Sequence, residues 1–457
     1  MHKSALRKGE EMSLTGKNLT IVLIIAGLVI GLGVGYSIAP TKTVTETIYD
    51  TETIYETITE TVTVEVAPLD GTTVSLAVIT GVSSEMEILK PMWEDIILPD
   101  INEFADKLGY DVKFEFLLDD AMGQPAVFLE KVQGFKSLGV NHILGCYYSS
   151  HILGARSYIN ENDMIAISAG STSPLAAFPD DNIFRLVPTD FAYGTIMPDI
   201  LSAYGIEAVA VMQGAEAFGD GLWNVMETAL PLNNIEVLER VRFASGIKEF
   251  STYLDLLNTI MGDAIEKYGV EHVAIIQCCL QSDGLVFHSQ VAGFENLEKI
   301  IWFSTHGGRN QRMLDSVGEA IVTRRDFGMQ MTPAQTWKFQ EFEDRFYESV
   351  KLYPGIDQTN EYDGGILAST AILETQSIDA LPSVRIFPTH AANYFGVSGW
   401  CELDINGDRK PGTYTIWGYA MIDGEPGFTA WGNYNAVDRT LTWNSDVFVE
   451  QGMTPPG

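Results

Sequence analysis

With 457 residues, 46% of them apolar, the chain has material for more than one sizeable core. Its 61 acidic and 28 basic residues leave a net charge of −33, which excludes nucleic acid and an anionic membrane surface as partners, since both require basic patches. Four cysteines, Cys146, Cys278, Cys279 and Cys401, are too few for a disulfide scaffold and form no C-x-x-C pair for zinc, although one structural disulfide stays open.

The first predicted element is a transmembrane anchor over 19–39, which carries no charge and as a helix spans roughly 30 Å. Lys3, Arg7, Lys8 and Lys17 precede it and Lys42 alone follows closely, so the positive-inside rule places residues 1–18 in the cytoplasm and the rest outside. A cleaved signal peptide is the competing reading: Ser37-Ile38-Ala39 has the form of a cleavage site, but Pro40 follows it and the apolar run is long for a signal core. Gly27, Gly31 and Gly35, four apart, would line one helix face and give a homodimer contact. Residues 40–70 are low in complexity, with TETIY occurring twice and Thr or Tyr at every odd position from Thr41 to Thr63. β-branched residues and repelling glutamates disfavour a helix, and an extended stalk is predicted, with a short coiled coil as the alternative.

From Val74 onward short apolar runs alternate with amphipathic stretches. Strands are predicted at 74–79, 112–118, 141–144, 164–167, 208–212, 273–276 and 300–303. Leu89 to Leu108 reads as a helix broken at Pro99, while Pro125 opens the next helix and Gly139 ends it. Long helices are expected at 333–351 and 361–374. From Ser398 the Gly-, Trp- and Tyr-rich tail reads as hairpins turning at Asn406-Gly407, Asp423-Gly424 and Gly432-Asn433. Strands alternating with helices imply parallel sheets covered on both faces. Two such blocks fit an α/β fold of two doubly wound lobes. Lobe 1 is expected to comprise 74–190 and about 325–395, and lobe 2 to comprise 191–324 and about 396–445.

In open α/β sheets ligands bind beyond the carboxyl ends of the strands. Ser149-Ser150 and the run Ser168 to Ser173 follow two strands at that edge, where hydroxyls and helix-start N–H groups suit a carboxylate or amide oxygen; ordinary helix caps are the plainer reading. Catalysis finds no support. Ser149 and His151 are too close to face one another as nucleophile and base, and neither a G-x-S-x-G elbow, an H-E-x-x-H nor a P-loop occurs. Cys278, Cys279 and His306 are weighed as a soft-metal site and read instead as structural cysteines and a ligand-facing histidine. Asp404 to Asp408 begins like a calcium loop but has Thr415 where the closing glutamate belongs, and reads as a turn. No metal or cofactor is expected.

In order and spacing, Asp119-Asp120, ILGCYYSS (143–150), ISAGSTSP (167–174), FRLVPTD (184–190), AFGDGLW (217–223), Glu361-Tyr362-Asp363 and GWCELDINGDR (399–409) resemble type I periplasmic binding proteins of the leucine/amide-binding class. The resemblance runs from Val74 to about Trp443. It implies two lobes joined by three crossovers with a ligand cleft between them, a small-molecule ligand held by cleft closure, and ABC permease and ATPase subunits as partners. It places Ser149, Gly170 and Thr172, with neighbours Ser150 and Ser171, at the ligand's carboxylate and amino groups. It puts Phe218 at the second-lobe aromatic and Asp190 at the first inter-lobe hinge. Two positions depart from the family: His306 falls where an acid pairs with the amino acid's ammonium, and Cys279 falls at a tyrosine. Without that countercharge, unless Asp283 or Glu216 restores it, a neutral amide, urea-like solute or simple carboxylate is expected to bind at least as well as leucine. A ligand-sensing receptor and a surface-structural protein remain as other uses of the fold.

Overall fold

The computed structural model describes residues 41–45, 61–65, 68–305, 308–309 and 311–456. The expected cytoplasmic segment and anchor, with Gly27, Gly31 and Gly35, and the candidate His306 lie outside the described residues. Among the described residues no helix is long and apolar enough to cross a membrane. The chain divides into residues 1–70 and 71–457.

In the first unit β1 (Thr41–Thr45) pairs antiparallel with β2 (Thr61–Glu65), Thr41 opposite Glu65. The Thr-rich segment therefore doubles back here, where a single extended spacer was expected. Its period of two is the strand signature.

The strands of the second unit are, in chain order, β3 (Thr72–Thr80), β4 (Val112–Asp120), β5 (His142–Gly145), β6 (Ile165–Ser168), β7 (Ile183–Pro188), β8 (Ala208–Gly214), β9 (Glu236–Phe243), β10 (Val273–Cys278), β11 (Ile301–Ser304), β12 (Phe327–Met331), β13 (Asp408–Arg409), β14 (Thr413–Ile422), β15 (Glu425–Asn435) and β16 (Thr440–Trp443). One sheet runs β13-β7-β6-β5-β3-β4 and is parallel throughout. The other runs β16-β15-β14-β12-β11-β10-β8-β9. It is parallel from β9 to β12, and its last three strands are antiparallel, in line with the hairpins expected from Ser398 onward. The expected Asp423-Gly424 turn joins β14 to β15: both residues have positive φ, 53° and 90°, the geometry of a two-residue hairpin, which joins only antiparallel strands.

Strands buried on both faces explain the continuous apolar runs. Along β8, Val209 and Val211 enter one core while Ala208, Ala210 and Met212 enter the other. The helix expected to break at Pro99 breaks earlier. Ser83–Met92 passes through a π-turn at Trp93–Ile97 into Leu98–Leu108, with Leu98 N–H reaching back to Trp93 O and Pro99 at the second position of the new segment. Gly432-Asn433 is not a turn but the interior of β15, opposite Thr442 and Trp443.

The chain passes between the two sheets three times: at 189–192, between β12 and the helix Trp337–Val350, and between β13 and β14. β12 thus pairs in the eight-stranded sheet and β13 in the six-stranded one, so the later two passages fall beyond the boundaries expected near 325 and 396. The physical reason is that sheet membership is fixed by hydrogen-bond partners, which composition does not carry. All four cysteines are free and buried, so the disulfide left open in the sequence does not form.

Candidate functional site

At the end of β5 the backbone turns sharply through Gly145 (φ 88°) and Cys146 (φ 49°), and a Cβ on Gly145 would stand 2.5 Å from Ile79 O. Tyr147 and Tyr148 follow, and the helix Ser149–Glu161 begins. The loop after β6 lies alongside. Ser168 Oγ donates to Cys146 O at 2.8 Å and accepts from Ser171 N–H at 3.1 Å. Ser149 Oγ accepts from Ser171 Oγ at 2.9 Å and from Ser173 N–H at 3.2 Å. With its acceptor side so engaged, Ser149 keeps its own O–H to offer. Thr172 is arranged the other way: its hydroxyl donates to Asp190 Oδ2 at 2.9 Å, which leaves it a lone pair to present.

These loops rest on two buried arginines. Arg185 forms a two-point pair with Asp408 (2.5 and 2.8 Å) and donates to Ser171 O at 3.2 Å and Ser173 O at 2.8 Å. Arg409 holds Asn360 Oδ1 at 3.0 Å, and Asn360 Nδ2 in turn holds Ala169 O at 2.9 Å. Asp408 is thereby committed to Arg185, which fits the turn reading of 404–408. Among the described residues no group of three or more His, Cys, Asp or Glu side chains could hold a metal.

Between the carboxyl ends of the two sheets lies a cleft of about 860 Å³. Ser149, Gly170, Thr172, Phe218 and Cys279 line it together. Ser150 and Ser171 do not: Ser171 is fully buried and serves Ser149, while Ser150 is the half-buried second residue of its helix. Asp190 sits behind Thr172 at the first passage between the sheets, and burial above all raises its carboxyl to about 7. Neither acid expected to be able to restore the countercharge lines the cleft. Glu216 caps the helix Ala217–Leu232 through Phe218 N–H and Gly219 N–H, both at 2.7 Å, and Asp283 Oδ1 accepts from Gly246 N–H at 2.8 Å.

Acids stand instead on the wall of the six-stranded sheet. Glu85 accepts from Gly81 N–H at 2.6 Å and from Tyr148 Oη at 3.4 Å, and burial raises it to about 6. Asp357, in the first turn of the helix Ile356–Thr375, is raised to about 7 by burial and then by the charge of Glu85. Its Oδ1 is closed off from solvent and has no hydrogen-bond partner. One turn on, behind the wall, Glu361 is held by Trp93 Nε1 at 3.0 Å and Tyr147 Oη at 3.3 Å, and burial lifts it to about 7. Arg309, facing from the other sheet, is the one cationic side chain among the described cleft-lining residues. It lies over the Phe428 ring, 4.9 Å from its centroid. Sequence reasoning reached the residues that directly follow strands. It missed Glu85, Asp357, Arg185 and Arg309, whose available signals were the first-turn acid of two helices, an arginine inside an otherwise apolar strand and a lone arginine in a loop.

A model of the family described as receptor family ligand binding region matches residues 98–421. Over 366 residues the chain is 24% identical to an uncharacterized protein of Methanocaldococcus jannaschii, covering 75% of this chain and 84% of that one. A leucine binding protein from Thermotoga maritima superposes with a TM-score of 0.65 at 21% identity, over 80% of this chain and 99% of that one. An ABC transporter substrate-binding protein from Desulfitobacterium hafniense in complex with Leu gives 0.60 at 17%, over 78% and 100%. A solute binding protein from R. palustris in complex with benzoate gives 0.62 at 12%, over 81% and 97%. At these identities the solved structures speak to the fold, two α/β lobes with a cleft between them.

Proposed function

The chain belongs to the family of receptor ligand-binding regions and has the fold of type I periplasmic solute-binding proteins, and we propose that it is the extracytoplasmic solute-binding component of an ABC importer. It captures a small polar solute by closing its two lobes and presents it to permease and ATPase subunits. One observation carries this reading: the cleft walled by both sheets, where Ser149 offers a donor and Thr172 an acceptor to one ligand. Its volume of about 860 Å³ lies in the range of small-molecule sites. Residues 19–39 anchor the chain in the cell membrane, with the lobes outside and the Gly27, Gly31 and Gly35 face available for pairing. Calorimetry and thermal shift with panels of small polar solutes test the capture, and co-purification of a permease and an ATPase from native membranes tests the importer. Solute binding with a signalling partner in their place would favour the sensor. The anchor requires detergent for extraction and a mature N-terminus before Leu19; a soluble form beginning near Thr41 would refute it.

A further inference from the structure

We propose that the solute carries a net positive charge, an ammonium or guanidinium head, and that Asp357 with Glu85 receives it on the wall of the six-stranded sheet. The proposal rests on the solute-binding reading and narrows it. The charge balance of the cleft comes first: Glu85, Glu343 and Asp357 line it, and Arg309 is the one cation among the described lining residues. That arginine does not serve Asp357. It faces from the other sheet, with Phe428 under its guanidinium and the charge of Glu343 acting on it.

Asp357 has what a cation acceptor needs. Its Oδ1 is buried without a hydrogen-bond partner, although a buried carboxylate oxygen normally finds one. That oxygen lies 3.3 Å from the point where a Cβ on Gly170 would stand, so a side chain at 170 would press on the carboxyl. The charge of Glu85 raises the proton affinity of Asp357, a repulsion that a bound cation would relieve. Thr172, its hydroxyl proton committed to Asp190, adds an acceptor on the same wall. Tyr353, Trp417, Phe428 and Phe218 also line the cleft, and aromatic rings favour cations over neutral solutes of the same size. A zwitterion such as leucine would satisfy one acid and bring another carboxylate into a cleft already rich in them.

The test is calorimetry on the full chain in detergent with agmatine, putrescine and lysine against leucine, acetamide, urea and butyrate. The cationic solutes should bind about tenfold or more tightly than leucine, as one charge-assisted hydrogen bond implies. Asp357→Asn and, separately, Glu85→Gln should remove that preference while the apo melting temperature is kept or raised. If one variant does not fold, the other carries the test. Tightest binding of leucine, acetamide, urea or butyrate, or an unchanged preference in both variants, would overturn the inference and leave the solute-binding reading intact. No response to any solute of any charge would overturn both.

Discussion

Ser149 and Arg185 show how much of this cleft is built from groups that serve other groups. The sequence alone suggests that Ser149→Ala weakens binding while sparing the apo protein. The structure changes that expectation, because Ser149 Oγ accepts from both Ser171 and Ser173. Ser149→Ala should therefore weaken solute binding by about tenfold and lower apo stability by about 1–2 kcal/mol, since two buried donors lose their acceptor. Calorimetry and urea unfolding read the two effects separately. Arg185 and Asp408, each about 1–2% exposed, form a buried pair whose desolvation is offset only while both are present. Asp408→Ala should cost about 3–5 kcal/mol in urea unfolding, and Arg185→Met with Asp408→Leu markedly less. The Asp408→Ala protein should also bind solute more weakly, because Arg185 holds the carbonyls of Ser171 and Ser173.

At the scale of elements, the hairpin of β14 and β15 concentrates what composition could reveal. Asp423-Gly424 announced itself as a turn because both positions need left-handed backbone, and Gly424→Val should cost about 1 kcal/mol or more on that ground. Gly418 gave no such signal. A Cβ there would overlap the Trp431 indole, itself fully buried between Phe327 and Phe448. Gly418→Ala should cost about 1–3 kcal/mol by overpacking, measured as a fall in urea midpoint at constant slope. The same contrast runs through the fold. Central strands such as Val273–Cys278 were legible through apolar runs, here residues 273–276. The edge strand Glu236–Phe243, half-exposed and charged, was not, nor was Phe327–Met331, which has no β-branched residue. Ser149, Gly170 and Thr172 were legible because a strand end puts its next residues at the cleft. Glu85 and Asp357 were not, because 272 positions separate them in the chain and only packing brings both to one wall.

For the whole molecule, the buried acids set a pH dependence with a definite sign. Asp190, Glu216, Asp357 and Glu361 are raised to about 7 and Glu85 and Asp326 to about 6, burial being the leading cause for each. Between the ordinary carboxylate range and those values the folded chain holds protons on these six acids that the unfolded chain has released. This outweighs the opposite contribution of the three buried histidines His142, His151 and His288, whose proton affinity burial lowers, so stability falls as pH rises toward about 7. The apo protein should accordingly melt at higher temperature at pH 5 than at pH 8, the reverse of a protein stabilised by salt-bridged carboxylates. A melting temperature that climbs across that window would contradict the burial described. The passage of the chain through the two sheets has a further consequence, in the order of biogenesis. Arg185 must wait for Asp408, made 223 residues later, and the eight-stranded sheet must wait for residues 413–443. A nascent chain halted near residue 400 would hold two unfinished sheets and an uncompensated guanidinium in its interior, and should remain sensitive to protease. Both sheets are completed only by strands made after residue 400, so the protein should become protease-resistant late, once residues 413–443 have cleared the exit channel.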